Sequence, residues 1–356
     1  MSGGADSSVT AALLVERGFE VIGITMRLGS QDDARPTCCS LESVEYARRV
    51  AAQLNIPFYA VNFETIFKEE IVDYFCEEYS AGRTPNPCII CNQKLKFGKL
   101  LSLAHQLEAE YVATGHYARI SCDPYTGRYI LKKGVDPRKD QSYALFSLTQ
   151  DQLKRAMTPL GEYTKAQVRD IAKRLSLKTS QRPESQELCF ISDKNYNRFL
   201  QERMLERVQP GPILDTSGKV VGQHNGIQFY TIGQRKGLGG TFGKPMYVVR
   251  IDPSANAIVI GTKADLLCYR LTASNANFVS IPELSAPTRV TARIRYNDPG
   301  HEGVASPLES EDRFEVAFDR PCMAVTPGQA VVLYDGDVVL GGGWIDSPDE
   351  ILNECW

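Results

Sequence analysis

At 356 residues, with 43% hydrophobic and 23% charged side chains, the chain is long enough for two or three domains and too apolar to be disordered. No apolar run approaches about 18 residues and no secretory signal opens the chain, so neither a membrane span nor export is expected. The formal charge of −3 argues mildly against nucleic acid, though a basic stripe can sit on an acidic protein, and ten cysteines without a signal point to a reducing cytoplasm where thiols serve catalysis or metals.

Residues 2–8 read Ser-Gly-Gly-Ala-Asp-Ser-Ser and run straight into a helical pattern through Val9, Ala12, Leu13 and Leu14, with Gly18 as its stop. Adjacent glycines let several N–H groups point into one concavity, and a helix N-terminus adds the positive end of a dipole. The loop has no Walker lysine. The plainer alternative is a glycine turn with an Asp or Ser cap. A strand follows at Val21–Met26, then a helix over 41–54, a strand over Phe58–Phe63 and a helix over 65–79. Beyond the Gly82–Pro87 loop the pattern predicts a helix from Asn92 to Leu107 and a strand at Tyr111–Thr114 ending in Gly115-His116. This alternation predicts a doubly wound parallel α/β sheet, with ligands at the carboxyl ends of strands. Met26, Gly115, His116 and the opening loop all fall there.

A hairpin is expected over 119–133, and 149–205 reads as mostly helical, with Thr164–Leu175 clearly amphipathic. From about 206 short β-rich runs alternate with turn clusters, and Val248–Ile251 pairs with Ile258–Ile260. The expected domains are 1–205, a small central β-rich domain over 206–272, and a last β domain over 273–356.

The segment Gly82-Arg83-Thr84-Pro85-Asn86-Pro87-Cys88-Ile89-Ile90-Cys91-Asn92 is the second strong signal. Cys91 is expected at the entrance of the next helix, where the dipole favours the thiolate, with Lys94 and Lys96 nearby. A C-x-x-C pair alone reads as a redox couple, half a zinc site or coincidence, and no second pair completes a zinc set. Cys189 lies where a polar loop enters the apolar Phe190-Ile191, and by itself reads as a buried structural cysteine. Cys38 and Cys39, in a polar loop, take no role.

The opening loop looks like the PP-loop of ATP pyrophosphatases, and the whole chain resembles the tRNA-specific 2-thiouridylases. The resemblance is carried by SGGADSS at 2–8, GRTPNPCIICNQKLKF at 82–97, YVATGHYAR at 111–119, KDQSYAL at 139–145, ELCFI at 187–191, YTIGQRKGLG at 230–239 and TPGQAVVLYDGDVVLGGGWI at 326–345. It implies an adenine nucleotide α-hydrolase-like first domain, with a last domain built as a β-barrel. It also implies a strand ahead of the loop, which a chain starting at Met1 does not contain, so the sheet is expected to lack its first strand through a misplaced start or a trimmed sequence.

The resemblance implies ATP-dependent adenylation of the O2 of a wobble uridine, then replacement of that oxygen by sulfur. Ser2, Gly3, Gly4, Ala5, Asp6, Ser7, Ser8, Met26 and Gly115 match its ATP site, with Mg2+ accompanying the nucleotide. Cys189 matches the persulfide carrier and Cys91 its partner nucleophile, with a transient disulfide between them. Asn86, Pro87 and Cys88 match the receptor of the target base. His116, Lys139, Asp140, Gln141, Arg295, Tyr296 and Gln329 match positions near the tRNA, with Arg138, Arg235, Lys236 and Arg293 as further phosphate contacts. The implied partners are tRNAs of the Lys, Glu and Gln type and a sulfur-relay protein or cysteine desulfurase. Some relatives carry Asp where Cys88 stands. Cys88, Cys91 and Cys189 would together make a three-cysteine ligand set, so a [4Fe–4S] cluster is an alternative.

Overall fold

The computed structural model describes residues 1–29, 41–177, 188–191, 195–204, 208–240, 242–310 and 312–346. Cys38, Cys39, Glu187 and Cys355 lie outside them. In chain order the first half contains α1 (Ala5–Glu16), β1 (Gly23–Arg27), α2 (Leu41–Gln53), β2 (Phe58–Asn62), α3 (Glu64–Phe67), α4 (Tyr74–Ser80), α5 (Pro87–Ile90), α6 (Leu100–Gln106) and β3 (Val112–Ala113). Then come β4 (Ala118–Cys122), β5 (Tyr129–Lys133), α7 (Gln150–Lys154), β6 (Ala156–Met157), α8 (Lys165–Arg174) and α9 (Tyr196–Met204). Two compact units form, one from Met1–Val72, Cys88–Lys194 and Asp337–Val339, the other from Asp73–Pro87, Asn195–Gly336 and Leu340–Trp356.

Among the described residues of the first unit the parallel strands form two pairs. β1 runs beside β2 in register from Gly23↔Phe58 to Arg27↔Asn62, and β3 runs beside β6 through Val112↔Ala156 and Ala113↔Met157. The Met1 carbonyl accepts from Thr25 Oγ1 at 2.6 Å, which lays the start of the chain along β1. Val9 and Leu13 of α1, Val50 of α2, and Val168 and Ala172 of α8 share one core with Tyr117, Leu160 and Leu177. α8 begins with a capping box, in which Thr164 and Gln167 satisfy each other's backbone N–H. β4 and β5 form the expected hairpin. Its turn is held by Asp123, which accepts from Tyr125 N–H at 3.0 Å and Thr126 Oγ1 at 2.7 Å.

The second unit contains β7 (Gly211–Asp215), β8 (Val220–His224), β9 (Tyr247–Asp252) and β10 (Ala257–Gly261), ordered β8-β7-β10-β9. The β9–β10 hairpin was legible in the sequence. The parallel pairing of β10 with β7 was not, because it joins residues far apart in the chain. Ile213, Ile227, Tyr230, Val248, Ile258 and Ile260 fill its core. The remaining strands are β11 (Leu267–Phe278), β12 (Thr288–Arg293), β13 (His301–Pro307), β14 (Phe314–Met323), β15 (Ala330–Asp335) and β16 (Val338–Ile345). They run in the order β11-β14-β13-β12-β15-β16, and β16 pairs back onto β11 through Ala273↔Ile345 and Phe278↔Gly341. That closure makes a barrel and removes both sheet edges. β11 runs unbroken through residue 272, so the β modules meet before Leu267.

Candidate active site

The opening loop is folded by its own hydroxyls. Ser7 Oγ and Ser8 Oγ both donate to the Gly4 carbonyl, at 3.2 and 2.9 Å, and Ser2 N–H donates to Ser7 Oγ at 3.1 Å. Gly4 is the N-cap of α1 in extended conformation, and no side chain caps the helix. The Asp or Ser cap of the plainer sequence reading is therefore not what the loop builds. The two glycines differ. Gly3 has φ +70°, and a Cβ there would stand 2.4 Å from the Ser43 carbonyl oxygen. Gly4 has φ −94° and ordinary space around it.

Gly115 follows β3 and lies against the head of α1. A Cβ at Gly115 would meet Asp6 at 3.0 Å and Ser7 N at 3.1 Å. Met26, half-buried, is next to last in β1. Asp6 turns away from the helix cap. Its Oδ1 accepts from the Tyr117 hydroxyl at 2.8 Å, and Lys165 Nζ donates to Oδ1 and Oδ2 at 2.7 and 2.9 Å. Lys165 is buried, and its ammonium lies 5.6 Å over the Tyr117 ring. Sequence reasoning missed both partners of Asp6. The available signal was a lysine in the first turn of a helix, where the dipole disfavours a cation.

The cysteine helix starts earlier than the sequence suggested. α5 begins at Pro87, whose fixed φ and missing N–H suit a first helical position, so Cys91 lies a full turn inside. Cys88, not Cys91, thus holds the helix-mouth position, exposed in the first turn, whereas Cys91 is buried. From Cys91 to Lys99 the helix winds wider than an α-helix before resuming as α6. Such winding loosens the ordinary carbonyl pairing, and Gln152 of α7 answers it by donating to the Gln93 and Phe97 carbonyls, both at 2.9 Å. Asn92 is buried and donates to the Ala144 carbonyl at 2.9 Å. Cys189 sits partly buried in a short turn whose next residue, Phe190, packs edge-on against Phe67 at 5.9 Å.

Among the described residues no three His, Cys, Asp or Glu side chains converge as metal ligands. Cys88, Cys91 and Cys189 are therefore not assembled as the ligand set that the cluster alternative needs.

The residues matched to tRNA positions divide by environment. His116 is buried, its Nδ1 is 2.8 Å from Thr114 Oγ1, and burial with the nearby Lys96 charge holds its pKa well below 6.5. Asp140 is buried and accepts from Gly134 and Ser142 N–H, while Gln141 accepts from Tyr117 N–H at 3.0 Å. These three side chains shape the fold around β4. Lys139 is half-buried. Arg295 and Tyr296 are exposed on the β12–β13 loop. Gln329 donates to the Thr84 and Pro85 carbonyls at 3.0 and 3.2 Å, which holds the strand of loop just before Asn86, half-buried, and Pro87, buried.

Three family models cover this organisation. The tRNA methyl transferase HUP domain matches residues 1–193, the tRNA methyl transferase PRC-barrel domain 197–262, and the aminomethyltransferase β-barrel domain 269–345. The fold and loop thus define a HUP-class α/β protein carrying two β domains. The tRNA-specific 2-thiouridylase MnmA of Moorella thermoacetica is 51% identical over 355 residues, 99% of each chain. That of Clostridioides difficile is 49% identical over 349 residues, 97% of this chain and 96% of that protein. That of Acetivibrio thermocellus is 49% identical over 350 residues, 97% of each. The chain belongs to the tRNA-specific 2-thiouridylase family, and it is an enzyme of the tRNA sulfurtransferase class.

Proposed function

We propose that the chain converts the wobble uridine of tRNA to 2-thiouridine, using ATP to activate O2 and a cysteine persulfide to deliver sulfur. The observation that carries this is identity near one half over essentially the whole length of proteins named for that activity. The uncapped head of α1, with Gly115 laid against it, supports the nucleotide half.

In this reading uridine O2 attacks the α-phosphorus of ATP and pyrophosphate departs toward the Ser2–Ser8 loop, whose N–H groups receive its charge. Mg2+ accompanies the phosphates as a counter-charge. Met26 and Gly115 line the nucleotide. The base, splayed from the anticodon, is received by Asn86, Pro87 and Cys88. Cys189, charged with a terminal sulfur by a relay protein or desulfurase, uses that sulfur to attack C2, and AMP leaves. The Cys91 thiolate then attacks the Cys189 sulfur. The sulfur on C2 departs from Cys189 as the thiocarbonyl, and a Cys91–Cys189 disulfide forms that an external dithiol reduces. Arg295, Tyr296, Lys139 and the exposed Arg138, Arg235 and Lys236 supply contacts to the tRNA backbone.

The test is incubation of the protein with Mg–ATP, a persulfide donor and unmodified tRNA, followed by nucleoside mass spectrometry. Formation of 2-thiouridine with release of one pyrophosphate per thiolation is the expected result. Absence of 2-thiouridine with a folded, ATP-binding preparation would refute the reading.

A further inference from the structure

Lys165 stands in a place that ordinary folding energetics disfavours twice. It is 8% exposed, in a class of side chain that is almost never buried without a partner. It also occupies the first turn of α8, at the positive end of that helix, where a cation is destabilised. Its backbone is fixed there by the Thr164–Gln167 capping box and by its own N–H donating to Asp136 at 2.9 Å. The side chain then reaches to both carboxylate oxygens of Asp6, 159 residues away in the chain. Asp6 is in the first turn of α1, whose N-cap Gly4 brings no side-chain cap. An uncompensated carboxylate at that spot would repel a polyphosphate.

We propose that Lys165 is a binding residue of the phosphate site: held on Asp6, its ammonium supplies the positive charge that a Walker loop takes from its own lysine, and the polyphosphate of ATP shares it. This rests on the nucleotide reading above. Tyr117, bonded to the same Asp6 oxygen, keeps the carboxylate turned toward Lys165 rather than toward the helix head. The arrangement places the cation of the loop on a distant helix, so the loop sequence by itself shows none.

The full chain is titrated calorimetrically with Mg–ATP, with pyrophosphate in the absence of added Mg2+, and with adenosine. Lys165→Met should weaken ATP and pyrophosphate binding at least about tenfold, as expected for loss of a charge-assisted contact, and leave adenosine binding unchanged. Lys165→Arg should recover most of the loss. Removing both members of a buried pair is better tolerated than removing one. The comparison of Asp6→Asn with Asp6→Asn/Lys165→Met therefore isolates the ammonium even where Lys165→Met does not fold, and the double variant should again bind pyrophosphate at least about tenfold more weakly. Equal pyrophosphate affinity in those two variants, or equal loss of adenosine and ATP binding in Lys165→Met, would overturn the assignment. A wild-type chain that binds no ATP would remove the nucleotide reading, and this one with it; wild-type binding that Lys165→Met leaves intact would remove this one alone.

Discussion

Replacing Gly3 by Ala should damage the opening loop, and replacing Gly4 by Ala should not. At Gly3 the backbone has φ +70°, a left-handed conformation that costs an L-residue about 1–2 kcal/mol. The added Cβ would also stand 2.4 Å from the Ser43 carbonyl oxygen, a backbone atom of α2 that cannot rotate aside. Overpacking of this kind costs about 1–3 kcal/mol. Together the two effects amount to about 2–5 kcal/mol, and for a domain of this size a Tm lower by on the order of 10 °C. Gly4 has φ −94°, and the nearest atom to its added Cβ, Ser2 Oγ, is at 3.5 Å. Gly4→Ala should change stability by less than about 0.5 kcal/mol. Thermal melting by circular dichroism reads both, with ATP titration alongside. A Gly3→Ala protein as stable as wild type would show that the loop geometry is not what makes Gly3 necessary.

Gln329→Ala removes two hydrogen bonds to the Thr84 and Pro85 carbonyls, each worth about 0.5–1.5 kcal/mol net, so amide exchange over 82–86 should quicken while ATP binding holds. Cys91→Ser and Cys189→Ser should each abolish 2-thiouridine formation with ATP binding intact, and after exposure to the sulfur donor only the Cys91 variant should carry a persulfide at position 189 by peptide mass spectrometry. His116 is held neutral in the folded protein, with its pKa well below 6.5, whereas the unfolded chain takes up that proton near 6.5. Stability should therefore fall as pH drops below about 6.5, and His116→Asn should flatten that slope in melting curves across pH 5–8. An unchanged slope would contradict a buried neutral imidazole.

Local chemistry was legible wherever neighbouring residues sufficed. The Ser2–Ser8 loop and the helix behind it, the β4–β5 and β9–β10 hairpins and the amphipathic α8 each depend on residues a few positions apart. The helix start was misplaced because Pro87 was assigned to the Gly82–Pro87 loop, although its ring favours a first helical turn. That shift moved Cys91 from a helix mouth to a buried turn and gave Cys88 the exposed position.

From sequence alone the chain disclosed its family, the glycine- and serine-rich loop ahead of α1 and the three cysteines of the proposed chemistry, because these are carried by residue identity and short spacing. Only tertiary structure decided that Asp6 faces Lys165 and Tyr117 rather than capping α1, that Gly3 and not Gly4 is sterically required, and that Gln329 holds the loop before Asn86. Each of these joins residues that no helical or strand period links. Burial and long-range pairing, which composition and periodicity do not encode, set those relationships.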